Sequence, residues 1–581
     1  MSVWFRLFFG LIAATLGYGC DLVPLKILAI NDFHGQISQG KIVQDRPVGG
    51  AAVLSAYLKA AMANKKQQTI IISAGDLVGA SPASSALLQD EPAITFFNSF
   101  ANEFCQFPSQ LTTTNTPSTL QLFYGNHFVS VFDQRCNLLA VPGNHEFDDG
   151  QSELLRLFAG GNHKNGPFLE NPWRGARFPM IAANIHLTDG RSLFKPFVIK
   201  NVAGEKIAFI GAVTRDTPNI VTSESVAGLK FSSESKAINA QVQKLQEMDI
   251  HAIVAVIHEG GTGSAAYESQ TQNKPAHLSR FFVNLVNQLD ADVDVVISAH
   301  SHNFTNTLLK NAGGHEVLVT QAFSSGKAFA DIDIAIDPNS HDIVKKTARI
   351  VTTWGDAGPG LTPDVKMAEF VKIAEAKVAP IANKIIATTN KKISRKANQA
   401  GESILGDMIA EAHRQAMQAN FGITNVGGLR SDIPNACNTK PCNITWNDCF
   451  TAQPFSNTVT TMTLTGQQIY DLLEQQWLNQ SSPRLLQIAG FSYSWSQQAA
   501  KGKKVVPNSI KALDGTPINK SATYSVAVNS FLGAGSDAFT VFKKGKIIKI
   551  GILDLDALIK FLANQPQPIK PKNAKRIIKI P

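Results

Sequence analysis

The stretch Leu25–Gly35, LKILAINDFHG, runs a short and mostly apolar segment straight into an aspartate and a histidine, Asp32 and His34. Segments of this length and composition read as strands buried on both faces, the mark of a sheet covered by helices. Four later segments repeat the arrangement. TIIISAG (69–75) leads into Asp76, LLAVPG (138–143) into Asn144 and His145, HAIVAVI (251–257) into His258, and VDVVISA (293–299) into His300 and His302. Ligands of such folds collect at the carboxyl ends of the strands. One histidine after a strand is ordinarily a turn or core residue. Five strands that deliver carboxylate, amide and imidazole groups to one edge predict a shared metal site.

That donor set suits a borderline divalent ion such as zinc, manganese or iron. Asp76, a single carboxylate after its strand, is the candidate to bridge two ions, which together can activate water and clamp a phosphate ester. In GNHEFD, His145 and Asp148 are three apart. If a helical turn follows, Asp148 folds back to orient His145, which then acts as an acid or charge stabiliser and not as a ligand. Glu146 and Asp149 read as negative charge near a helix start.

The rest of the chain frames this edge. At 581 residues two large domains are expected, and 44% hydrophobic with 17% charged residues is globular composition. The net charge of +9 is spread and weighted towards the tail, with no focused patch of the kind nucleic acid requires. Residues 1–20, with Arg6 before LFFGLIAATLGYG, read as an export signal. Lipid attachment at Cys20 is the one route to a membrane that the sequence offers. Cys105 and Cys136, which bracket a polar stretch, and the cluster Cys437, Cys442 and Cys449 then read as local staples of open connectivity, with one thiol left over if Cys20 carries lipid, and there is no C-x-x-C zinc pattern. Asn303 and Asn443 both fit sequons, and that at Asn303 is read as chance, because a glycan there would obstruct His302; the location expected is the periplasm, or the surface or surroundings of a bacterial cell.

Residues 25–355 alternate strands and helices, with AFADIDIAID and DIVKKTARIVTTW expected as antiparallel strands of a second sheet. The breaker-rich GDAGPGLTPD precedes a helix expected over 362–386, with a kink or interruption at Pro380. Residues 387–575 mix helices and strands as a second domain. The long, loop-rich stretch 100–136 lies between two ligand-bearing strands and is expected to overhang the site.

NDFHG, SAGDLVGASP, GNHEFD, VIHEG and SAHSHN, in this order and spacing, resemble the five motif blocks of the calcineurin-like metallophosphoesterases. The GNHEFD form and the second domain resemble the 5′-nucleotidase branch. The resemblance implies an α/β chain with an N-terminal four-layer α-β-β-α sandwich, a linker helix and a C-terminal α+β nucleotide-recognition domain. It implies two divalent ions, zinc or manganese. Asp32, His34 and Asp76, completed by His302 or a neighbour, would bind one, and Asp76, Asn144, His258 and His300 the other. His145 and Asp148 would be the catalytic dyad. Ala299 departs from the glycine usual before His-x-His, and the 100–136 insertion is longer than usual.

In the second domain NVGGLR offers Asn425 and Arg430 around two glycines that permit close backbone approach, and a guanidinium matches phosphate oxygens. PFSN offers Phe455, and NSFLGAGSD offers Phe531 and Asp537. Composition alone would place both phenylalanines in the core; the resemblance implies that they stack a nucleotide base. Arg395 resembles, more loosely, a phosphate-binding arginine. The resemblance further implies that the second domain rotates about the linker helix to deliver substrate. The activity expected is phosphate release from nucleoside 5′-monophosphates. UDP-sugars, nucleoside di- and triphosphates and 2′,3′-cyclic nucleotides are alternative substrates. A catalytically weak nucleotide-binding surface protein is an alternative of another class, disfavoured by the intact ligand set.

Overall fold

The computed structural model describes residues 21–581 apart from 64–67, 108–133, 262, 264, 274–277, 436, 438, 479 and 481. The export segment and Cys20 lie outside the described residues. Among those described, no helix is long and apolar enough to cross a membrane.

The five ligand-bearing strands divide between two sheets. Val23–Ile30, Gln68–Ser73 and Leu138–Ala140 run parallel in a five-stranded sheet. Ile253–His258 and Val293–Ser298 lie parallel in the middle of a six-stranded one. Alternation along the first strand explains the layering. Leu25, Ile27 and Ala29 join Val254, Val256, Val295 and Ile297 in a core between the sheets. Leu28 and Ile30 turn the other way, onto the helix Ala51–Met62 through Leu54 and Leu58. The second sheet packs its outer face on the helices Glu234–Gln246 and Arg280–Val286 through Ile238, Val242, Phe282 and Val286. Both strand faces are therefore apolar, and the whole is an α-β-β-α sandwich.

The two alternating strands near residue 340 are not on a second sheet. Ala328–Asp337 pairs antiparallel with Val23–Ile30, and Asp342–Thr352 extends the same five-stranded sheet. Pairing buries the inner strand almost throughout and leaves the outer one, at the edge, exposed at alternate positions.

The helix Val365–Ala382 continues through Pro380 to its end, so the expected interruption is absent. Asp364 caps it by accepting from the Met367 N–H, and the same carboxylate accepts from Ser55 and pairs with Lys59 of the helix Ala51–Met62. Met367, Val371, Ala374 and Val378, at helical spacing, bury one face. Beyond it a second five-stranded sheet is built from Gln487–Ala489, Phe421–Thr424, Thr523–Asn529, Thr458–Thr465 and Lys546–Leu553, with Ile404–Met417 and Gly466–Glu474 packed on it.

Disulfides join Cys105 to Cys136 and Cys437 to Cys442, and Cys449 is a buried free thiol. The first of these places the described ends of the insertion. Cys136 precedes Leu138–Ala140, and Ile71 donates to the Asn137 carbonyl, so both described ends of the insertion leave from the amino-terminal edge of the sheet. Asn144 lies eight residues further on, about 25 Å along an extended chain, at the opposite edge. Residues 108–133 fall outside the described residues.

Candidate functional site

The carboxyl ends of the two sheets meet. Metal-competent atoms of Asp32, His34, Asp76 and His302 lie within 4.8 Å of one another, as do those of Asp76, His258 and His300. Asp76 belongs to both groups, and its two oxygens have separate tasks. Oδ1 accepts the backbone N–H of His145 at 2.9 Å, while Oδ2 stands 3.2 Å from His258 Nε2 and 3.7 Å from His34 Nε2.

The imidazoles are oriented from behind. His34 Nδ1 donates to the Gly79 carbonyl at 2.8 Å and His258 Nδ1 to that of Ala74 at 2.9 Å, which leaves each Nε2 facing the site. Burial, joined by the charges of His145, His302 and Arg430, holds His34 well below the usual histidine range despite Asp76, so it is neutral with a lone pair on Nε2. His302 Nε2 stands 3.0 Å from that atom. The buried Asn144 Oδ1 and His258 Nε2 have no hydrogen-bond partner among the described residues. Burial opposes the ionisation of Asp76, yet His258 and His145 hold it well below the usual carboxylate range. His258 goes the other way: burial lowers it, but Asp76 outweighs burial and raises it to about 10. Buried carboxylates, imidazole nitrogens and the orphaned Asn144 oxygen aimed at common points are what divalent cations require.

This convergence strains the backbone. Asp32, His34, Asp76, His300 and His302 all have φ between 50° and 70°. The left-handed region costs a non-glycine residue roughly 1–2 kcal/mol, and such strain persists where surrounding contacts over-determine it. Gly143 permits the closest approach, since a Cβ there would stand 2.1 Å from Asp76 Oδ1.

Glu146 is one of those contacts, and it corrects the reading of a charge near a helix start. It is buried, and its carboxylate accepts the N–H groups of Asp76, Leu77 and Val78 at 3.0, 2.8 and 3.3 Å and that of Gly143. It thereby ties the loop bearing Asp76 to the loop bearing Asn144. Glu146→Gln places an amide donor against two of these N–H groups; metal affinity is expected to fall about 10–100-fold, the range for lost outer-shell partners. Metal titration of the purified variant checks this, and unchanged affinity would reduce Glu146 to a packing residue. A one-dimensional pattern does not separate such a glutamate from a surface one.

His145–Phe147 forms a single 3-10 turn, which brings Asp148 Oδ2 to 2.7 Å from His145 Nδ1. Burial lowers the basicity of His145, but Asp148 and Asp76 outweigh it and raise its pKa above the usual value. Nε2 is left to face the cavity.

That cavity, about 320 Å³, is lined by Asn144, His145, Asp148 and His300 at one end and by Asn425, Arg430, Phe455, Phe531 and Asp537 at the other. Phe455 stacks on the His145 ring with centroids 5.7 Å apart, and the Arg430 guanidinium lies 5.6 Å from the Phe455 centroid. Asp537 accepts from Asn425 Nδ2 at 2.9 Å and pairs with Arg484 at 2.5 Å; its backbone N–H donates to the Asn219 carbonyl across the domain boundary. Arg484 and the wall Ile220–Thr222 carry no sequence signal that marks them. Arg395 is not in the lining. It is exposed, and its Nη1 donates to the Leu429 carbonyl beside Arg430.

Residues 25–304 match the calcineurin-like phosphoesterase family and residues 378–544 the 5′-nucleotidase C-terminal domain. The chain is 31% identical to endonuclease YhcR of Bacillus subtilis over 94% of its own length, spanning 40% of that protein. It is 28% identical to a 5′-nucleotidase of Vibrio cholerae over 73% of this chain and 76% of that one. The solved 5′-nucleotidase precursor of Thermus thermophilus superposes with a TM-score of 0.72 at 22% identity, over 96% of this chain and 99% of that chain, a likeness of fold. A calcineurin-like phosphoesterase domain followed by a 5′-nucleotidase C-terminal domain places the chain in the 5′-nucleotidase family of metal-dependent phosphoesterases.

Proposed function

We propose that the chain acts outside the cytoplasm as a nucleotide phosphohydrolase with two divalent ions, its simplest substrate a nucleoside 5′-monophosphate. The observation that carries this reading is the single cavity that joins the metal-competent residues to two aromatic rings. Two disulfides support an oxidising compartment.

Asp32, His34, Asp76 and His302 would hold one ion, and Asp76, His258 and His300 with the orphaned Asn144 oxygen the other, zinc or manganese by donor type. When bound, the ions supply Lewis-acid activation of water and neutralise phosphate charge. Arg430 adds a fixed cation over the same phosphate. His145, oriented by Asp148, holds its proton on Nε2 for the phosphoryl or departing oxygen. Phe455 and Phe531 take the faces of the base, and Asn425 and Asp537 its polar edge or the ribose.

Base stacking is worth about 1–3 kcal/mol per aromatic. Phe455→Ala with Phe531→Ala is therefore expected to raise KM for AMP by about 10²-fold while leaving p-nitrophenyl phosphate turnover little changed. Parallel loss on both substrates would point to misfolding or a catalytic defect and not to base recognition. The direct test is phosphate release from nucleoside mono-, di- and triphosphates, UDP-glucose and 2′,3′-cyclic nucleotides with manganese or zinc added. Absence of metal-dependent release from all of them would favour a nucleotide-binding surface protein.

A further inference from the structure

The second-domain end of the cavity is built in two rows. Asn425 is buried in the back row, where its Nδ2 donates to Asp537 Oδ2 at 2.9 Å and its Oδ1 accepts from Asn529 Nδ2 at 3.1 Å. Asp537 Oδ1 in turn accepts from Arg484 Nη1 at 2.5 Å. Asn425 and Asp537 thus already hold protein partners.

Arg484 stands in front of them. Its side chain lines the cavity and is 34% exposed, against 12% for Asp537. Its backbone is fixed from behind, because the Arg484 N–H donates to the Gln476 carbonyl and the Leu486 N–H to Gln476 Oε1, just past the helix Gly466–Glu474. Gln480, on the same segment, donates to the Asp537 carbonyl and so fastens both members of the ion pair together. Nη1 is engaged by Asp537, whereas Nε and Nη2 have no partner among the described residues. The neighbouring polar side chains of the lining are bonded elsewhere, Thr222 to Ser225 and Asn457 to Ser530.

A guanidinium donates only, and its planar fork fits two adjacent acceptors. Guanine offers such a pair in O6 and N7, whereas adenine sets an amino donor beside N7. Hypoxanthine shares the O6 and N7 of guanine. Donor against donor leaves desolvated N–H groups unpaired, which costs more than a missing contact.

We propose that Arg484 reads the edge of the base stacked by Phe455 and Phe531 and selects 6-oxopurine nucleotides, those of guanine and hypoxanthine, over those of adenine. The proposal rests on the nucleotide phosphohydrolase reading and narrows its substrate class. Asp537 is a positioning residue for this selection, setting the plane of the fork.

The test compares kcat/KM for GMP, IMP and AMP, each normalised to p-nitrophenyl phosphate turnover by the same preparation. Two variants are used. Arg484→Lys keeps a cation for Asp537 and removes the planar fork. Arg484→Met with Asp537→Asn removes the ion pair as a unit and strands no buried charge. The parent is expected to favour GMP and IMP over AMP by about tenfold, the scale of one bidentate contact, and both variants to bring the ratio close to one. A parent that favours neither 6-oxopurine over AMP overturns the proposal, and so does a preference that the variants leave in place. Inosine and adenosine binding to the chelator-treated protein is measured alongside by calorimetry, with inosine expected to bind more tightly to the parent and equally with adenosine to the variants. If the parent hydrolyses no nucleotide, the functional reading fails, while the nucleoside comparison still decides whether Arg484 selects the base.

Discussion

Asp76→Asn is expected to lower metal-dependent phosphate release by about 10³-fold or more and to reduce bound metal from two ions per chain to one or none. The amide keeps the shape and can still accept the His145 N–H, so the loop is preserved. What is lost is the negative charge that faces His34 and His258 together, from the one residue shared by both metal-competent groups. Removing a charge that stabilises two cations costs several kcal/mol, and each 1.36 kcal/mol is a factor of ten in rate. Elemental analysis of the purified variant with turnover in added manganese makes the measurement. Two ions retained with activity within tenfold of the parent would remove Asp76 from its bridging place.

Asp148→Asn is expected to lower kcat by about 10²-fold or more, with metal content unchanged because Asp148 is in neither metal-competent group. It would also move the pH profile, in a direction set by the sign of the shift at His145. Asp148 and Asp76 raise that histidine against its burial, so its proton is retained to higher pH than in a free imidazole. Without the Asp148 charge the pKa falls, and the decline of kcat with rising pH begins at lower pH. An alkaline limb left in place would assign that limb to another group. The Asp148 contact also fixes which nitrogen of His145 faces the cavity.

From the second domain, Arg430, Phe455 and Asp537 line the cavity that reaches Asn144, His145 and His300. Asp537 is bonded to Asn219 of the first domain and Phe455 lies on His145, so the second domain reaches the chemistry directly. Domain rotation about Val365–Ala382, implied by the family resemblance, would have to break these contacts. Cross-linking the domains should therefore block turnover, and full activity in the locked molecule would argue against rotation.

Asp32, His34, Asp76, Asn144, His258, His300 and His302 were legible because each follows an apolar run long enough to be a strand, and parallel strands present their carboxyl ends together. The His145–Asp148 contact was legible because three residues of turn return a side chain to its predecessor. These are local relations, carried by periodicity and spacing along the chain. Glu146 belongs to the same motif, yet its partners include three successive N–H groups some 70 residues earlier, and charge alone favoured a place near a helix start. The 100–136 insertion lies between two ligand strands in sequence but is rooted at the far edge, because a crossover returns to the start of the next parallel strand. The strands after residue 328 joined the first sheet because the edge of Val23–Ile30 needed pairing, which alternation alone does not reveal. Sequence by itself marked the candidate donors and the strand ends that carry them. Only the tertiary structure decided which oxygen of Asp76 faces the site and that Arg484 holds Asp537, since each depends on backbone and charge brought together from distant segments.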